Sequence, residues 1–102
     1  MAIKAQTSSA RLTEQYLDLV NQQLPNAAQR GGYPVRFNHC FIRIILDNIC
    51  GCEWSRVIKR PAYKHLTDVQ LTQAIALAQE FLANPEACFV ANKVSLQYRG
   101  KL

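Results

Sequence analysis

Three polar residues, His39, Arg43 and Asp47, recur at every fourth position in an otherwise apolar stretch of this 102-residue chain. On a helix that spacing lines them along one stripe, each about 40° from the last. Such a stripe has two readings. It is the solvent side of the helix, with Arg43 and Asp47 paired across one turn. Alternatively it lines a candidate cleft, in which Arg43 binds an anion and His39 exchanges protons. His39 and Asp47 lie two turns apart, about 12 Å along the axis, so they form no direct His–carboxylate dyad unaided.

A second set is His39, Cys40, Cys50 and Cys52, which resembles a metal set in residue types alone. On one continuous helix His39 and Cys50 share a face but stand about 16 Å apart. One zinc ion needs its ligands within about 2.3 Å, and Cys50-Gly51-Cys52 has a single residue between thiols. No metal is therefore expected. Cys40 and Cys88 read as small core residues, and Cys52, beyond a helix end and near Arg56, is the thiol to examine for reactivity.

The third set is Trp54, Arg56, Lys59, Arg60, Tyr63, Lys64 and His65. Cations interleaved with aromatics suit single-stranded nucleic acid, because charge tracks the phosphates while rings stack on bases. The same residues would also hold another phosphate-bearing ligand or an acidic protein. The plainer alternative has Trp54 and Tyr63 anchoring a connector to the core and the cations forming a solvated edge. The charge distribution favours a partner: the net charge of +5 falls wholly between Gln29 and His65, where seven cations face only Asp47 and Glu53. A basic patch suggests an anionic partner and says nothing about fold.

These residues need elements to position them. Leu12, Tyr16, Leu17, Val20 and Leu24 predict a first helix over Thr13 to Leu24, with Thr13 as N-cap and Pro25-Asn26 ending it. Asn26 to Phe37, with Gly31-Gly32 and Pro34, reads as a connector whose Val35 to Phe37 is extended. Asn38, read as an N-cap, opens a second helix to Cys50, with Gly51 just past its end. It is apolar nearly all round and so belongs in the middle of the domain. A short helical piece over Glu53 to Lys59 precedes a connector set by Pro61.

Thr67-Asp68-Val69-Gln70 is a capping box, with Leu66 and Leu71 at the hydrophobic-staple positions, and it opens the third helix. Asn84-Pro85 starts a fourth, as N-cap and first helical residue, running to about Arg99 with Gly100 beyond it. The fold expected is all-α, an irregular or orthogonal bundle of four to five helices. Residues 1–10 read as a flexible lead-in and 11–102 as one helical domain.

Length and composition agree. At 102 residues, 49% hydrophobic and 19% charged, the chain is one domain able to bury a core. No apolar run reaches the roughly 18 residues of a membrane span, and the first residues lack the apolar stretch of a secretory signal. Four cysteines without secretory context read as free thiols in the cytoplasm. The chain holds no phosphate-cradling Gly-rich loop, no Ser nucleophile elbow and no His-Glu-x-x-His. The third helix carries no Lys or Arg, and the turn before it is too long for a helix-turn-helix, which argues against sequence-specific duplex reading.

Asn38-His39-Cys40-Phe41, Pro61-Ala62-Tyr63-Lys64-His65-Leu66-Thr67 and Tyr98-Arg99-Gly100-Lys101 together resemble a group of short bacterial proteins of about this length. Some of these carry an acetyl-CoA-dependent N-acetyltransferase label. The resemblance implies a bacterial cytoplasmic origin. The acetyltransferase pyrophosphate turn is Arg/Gln-x-x-Gly-x-Gly/Ala between strand and helix; Gln29-Arg30-Gly31-Gly32 differs in spacing and follows no strand pattern, so no catalytic residue carries over.

The function expected is a small non-enzymatic binding module without cofactor. Its basic connector, Arg56 to His65, engages an anionic partner, nucleic acid before acidic protein. The alternatives are a small enzyme or enzyme subunit using the His39, Arg43 and Asp47 stripe, and a homodimeric interaction module.

Overall fold

The computed structural model describes residues 8–102. The chain forms four helical rods, with no strand among the described residues. The first rod runs through α1 (Ser8–Asp18), a π-helical segment (Leu19–Gln23) and α2 (Leu24–Ala28). The backbone stays helical at both junctions, Asp18 at φ −64° and Leu24 at φ −68°. The helix therefore does not end at Leu24, as Pro25 suggested. A proline inside a helix offers no N–H and its ring presses on the carbonyl one turn back. Here the Leu24 N–H donates to the Leu19 carbonyl, five residues earlier, and this wider turn accommodates the ring.

The rod also starts earlier than its apolar pattern suggested. Thr13 is no cap: its hydroxyl donates to the Ser9 carbonyl at 2.9 Å, inside α1. Of the lead-in expected over residues 1–10, the first seven lie outside the described residues, and Ser8 to Ala10 belong to the helix.

The second rod, α3 (Asn38–Cys50), has the predicted bounds, and Gly51 closes it in the left-handed region at φ +72°. The cap differs. Phe37 is the extended flanking residue, while Asn38 is already helical and its amide donates to Asn21 Oδ1 at 3.0 Å. One 3₁₀ turn, Trp54–Arg56, stands where the short helical piece was expected at 53–59, and a second, Ala62–Lys64, lies in the connector set by Pro61.

The third rod, α4 (Asp68–Ala83), opens on the predicted capping box. Gln70 N–H donates to Thr67 Oγ1 at 3.1 Å, and Thr67 N–H donates to Gln70 Oε1 at 2.9 Å. The Ser9 hydroxyl donates to the Asp68 carboxylate, joining the starts of α1 and α4. The fourth rod, α5 (Pro85–Tyr98), begins on proline, though the Asn84 side chain makes no capping bond. It ends on a Schellman arrangement: Lys101 N–H donates to Leu96 at 2.8 Å and Gly100 N–H to Gln97 at 3.0 Å.

As its apolar breadth predicted, α3 is central, packed against α4, α5 and the π segment. Phe41, Ile44, Ile45 and Leu46 are wholly buried there, in one core cluster with Tyr16, Val20 and Leu24 of the first rod and Leu71, Ala74, Ala78 and Phe81 of α4. The connector before α3 is pinned by Tyr33. Its hydroxyl donates to the Phe81 carbonyl at 2.8 Å, near the α4 C-terminus, and its ring meets Phe41 edge-on at 5.9 Å.

Candidate functional site

The stripe on α3 does not line a cleft. Asp47 has no solvent exposure, and its oxygens are fully engaged. Arg99 Nε donates to Oδ2 at 2.6 Å and Nη2 to Oδ1 at 3.0 Å. The Ser95 hydroxyl donates to Oδ2 at 2.7 Å, and the Trp54 backbone N–H to Oδ1 at 2.9 Å. Burial alone would push the Asp47 carboxyl up. The hydrogen bonds from Arg99, Ser95 and Trp54, with the Arg99 charge, outweigh it and hold the group below its ordinary value.

Arg43 does not pair with Asp47 across the turn. It donates to Ser95 Oγ at 2.7 Å and to Asn92 Oδ1 at 2.9 Å, so the Ser95 hydroxyl is the link between the two. Ser95 is itself wholly buried. His39 is exposed at the start of α3, its ring stacked on exposed Phe37 at 5.9 Å and 4°. Arg43 and Asp47 thus face α5, and His39 faces solvent. Their physical role is to satisfy polar groups between packed helices.

Sequence spacing missed the partners: Asn92 and Ser95 on α5 and Arg99, its C-terminal flanking residue, lie at i, i+3 and i+7 and so share one face. That matching polar row, complementary to the α3 stripe, was the available signal. Arg99, which the sequence marked only as the approximate end of the fourth helix, also reaches Glu53 at 3.4 Å.

Cys88 is wholly buried, and burial pushes its thiol up to about 12. Cys40, expected in the core, is only half-buried, as are Cys50 and Cys52, and all four cysteines are free thiols. Burial, then Cys52 and Asp47, raise Cys50 above the ordinary thiol value. Among the described residues no group of three or more His, Cys, Asp or Glu side chains converges on a metal-sized site.

The connector from Gly51 to Thr67 is held by three inward side chains at every fourth position, Trp54, Ile58 and Ala62, all buried. Between and just after them Arg56, Lys59, Arg60, Tyr63, Lys64 and His65 are exposed. Trp54, expected to stack on bases, is corrected here: only 9% of it is exposed, and the Arg60 guanidinium lies 5.0 Å over its ring. It orders the connector and orients Arg60. Tyr63, 38% exposed, is the aromatic left open. The one acid of this connector, Glu53, turns to Arg99, and the ion pairs among the described residues leave Arg56, Lys59, Arg60 and Lys64 unopposed.

Compared with models of known families, with curated proteins and with solved structures, the chain matches none. No helix among the described residues is long and apolar enough to cross a membrane.

Proposed function

We propose that this protein is a small binding module whose basic connector engages single-stranded nucleic acid. The observation that carries the reading is the set Arg56, Lys59, Arg60 and Lys64, exposed and without ion pairs among the described residues, on a connector anchored by Trp54, Ile58 and Ala62. Four unopposed cations on an anchored loop form an electrostatic footprint for a polyanion. Exposed Tyr63 beside them adds a stacking surface, which favours an unpaired strand over a rigid duplex or an acidic protein. Arg60, its guanidinium 5.0 Å over the Trp54 ring, is held at the exposed edge of the connector, where a planar fork suits a phosphate. The reading places the protein in a reducing compartment such as the bacterial cytoplasm, in keeping with four free thiols.

The test is fluorescence anisotropy of labelled single-stranded and duplex oligonucleotides at two salt concentrations. The expected result is micromolar binding to the single strand that falls steeply with salt. Replacing Arg56, Lys59, Arg60 and Lys64 together by Ala is expected to flatten the slope of log affinity against log salt by about 3, at roughly 0.7 per lost phosphate contact. Unchanged affinity in that variant overturns the reading. Binding only to an acidic polypeptide such as polyglutamate replaces the partner class.

A further inference from the structure

The outer face of α5 carries a feature unrelated to the basic connector. Phe89 and Val90 are 43% and 60% exposed, in mid-helix. Glu86 lies one turn before them and Lys93 one turn after, both exposed and neither in an ion pair among the described residues. At seven residues apart Glu86 and Lys93 sit on the same stripe, about 10 Å from each other. They are too distant to pair within one helix. A depression of about 380 Å³ runs between these four residues and Asn92. Two adjacent large apolar side chains, flanked by one acid and one base on the same line, make a patch that is its own complement.

We infer that α5 is a self-association surface, and that its occupant is α5 of a second copy of this chain, packed antiparallel about a two-fold axis between Phe89 and Val90. A two-fold axis at that point brings each Glu86 onto the partner's Lys93 and each Phe89 onto the partner's Val90. The antiparallel sense is fixed by charge, because a parallel pair in register would set Glu86 against Glu86 and Lys93 against Lys93. One helix face is smaller than a standard interface of about 800 Å² per partner, so the dimer is weak.

The experiment is sedimentation equilibrium of the full chain from about 10 µM to 1 mM, after nuclease treatment so that bound nucleic acid cannot bridge copies. The expected result is a monomer–dimer equilibrium. Glu86→Lys and Lys93→Glu alone each set like charges together at both symmetric contacts, and each weakens the dimer about tenfold or more. The double variant carrying both reversals restores the original pairing and the original dimer constant. Both changes are on exposed side chains, and unchanged circular dichroism and melting in the three variants confirm the fold. A strict monomer at 1 mM overturns the inference. So does a dimer indifferent to the single reversals, or a double variant that stays as weak as the singles.

Discussion

Arg99, just past the last turn of α5, grips Asp47 near the end of α3 through Nε and Nη2, at 2.6 and 3.0 Å, and Asp47 is shut off from solvent. Removing one member of a buried pair leaves the other charged and unmatched, at a cost of about 3–5 kcal/mol. Arg99→Ala is therefore expected to lower stability by that order in urea denaturation. Arg99→Lys recovers only part, because an ammonium cannot bond both carboxylate oxygens as a planar fork does.

The same contact sets the acid limit of the fold. Asp47 is lowered in the folded state, so the unfolded chain binds its proton first as pH falls. The stability it contributes is complete above the ordinary carboxylate value of about 4 and is lost as pH drops through the lower folded value. Asp47→Asn is expected to be destabilising at pH 7. The gap between it and the parent should narrow in melts run from pH 5 to pH 2, and a constant gap would contradict the assignment.

Tyr16 presents the opposite case. It is almost wholly buried, and its hydroxyl has no hydrogen-bond partner among the described residues. An unmatched buried hydroxyl costs about 1–3 kcal/mol, so Tyr16→Phe is expected to hold or raise the melting temperature. Burial drives its ionisation far above the ordinary tyrosine value. Alkaline absorbance titration should show one phenol that ionises only with unfolding, and stability should fall as pH rises past about 10.

The thiols are expected to separate by burial. Iodoacetamide at neutral pH should leave Cys88 unmodified in the folded protein, since burial holds its thiol up to about 12. Mass spectrometry with and without urea reads this directly, and alkylation of folded Cys88 would contradict the packing of α5.

Tyr63→Ala separates stacking from charge at the connector. The ring is partly exposed, so stability should change little. Affinity for a single strand should fall about 5- to 150-fold, at the 1–3 kcal/mol typical of one base–aromatic stack, with the salt slope intact. Trp54→Ala should instead unfold the connector, because that ring is core.

Where chemistry is local, the sequence was legible. Thr67 and Gln70 announce their own capping box, and Gly51 and Gly100 mark helix ends because only a left-handed residue closes them. Pro25 misled because its local rule was answered by a register shift begun six residues earlier. The stripe His39, Arg43 and Asp47 was visible as a spacing, but its meaning depended on Ser95 and Arg99, about fifty residues away. No local pattern on α3 distinguishes a polar row facing water from one facing a matching row on another helix. The exposed cations, by contrast, needed no tertiary knowledge, only the absence of neighbouring acids.

The hydrogen bond from the Trp54 amide to Asp47 joins the start of the basic connector to the helix pair. With Ile58 and Ala62 seated in the core, the backbone of that loop is restricted when the chain folds. A ligand then meets a preorganised surface and has no disorder-to-order transition to drive. Calorimetry of binding should accordingly show a small heat-capacity change, of the kind expected of rigid docking and unlike coupled folding.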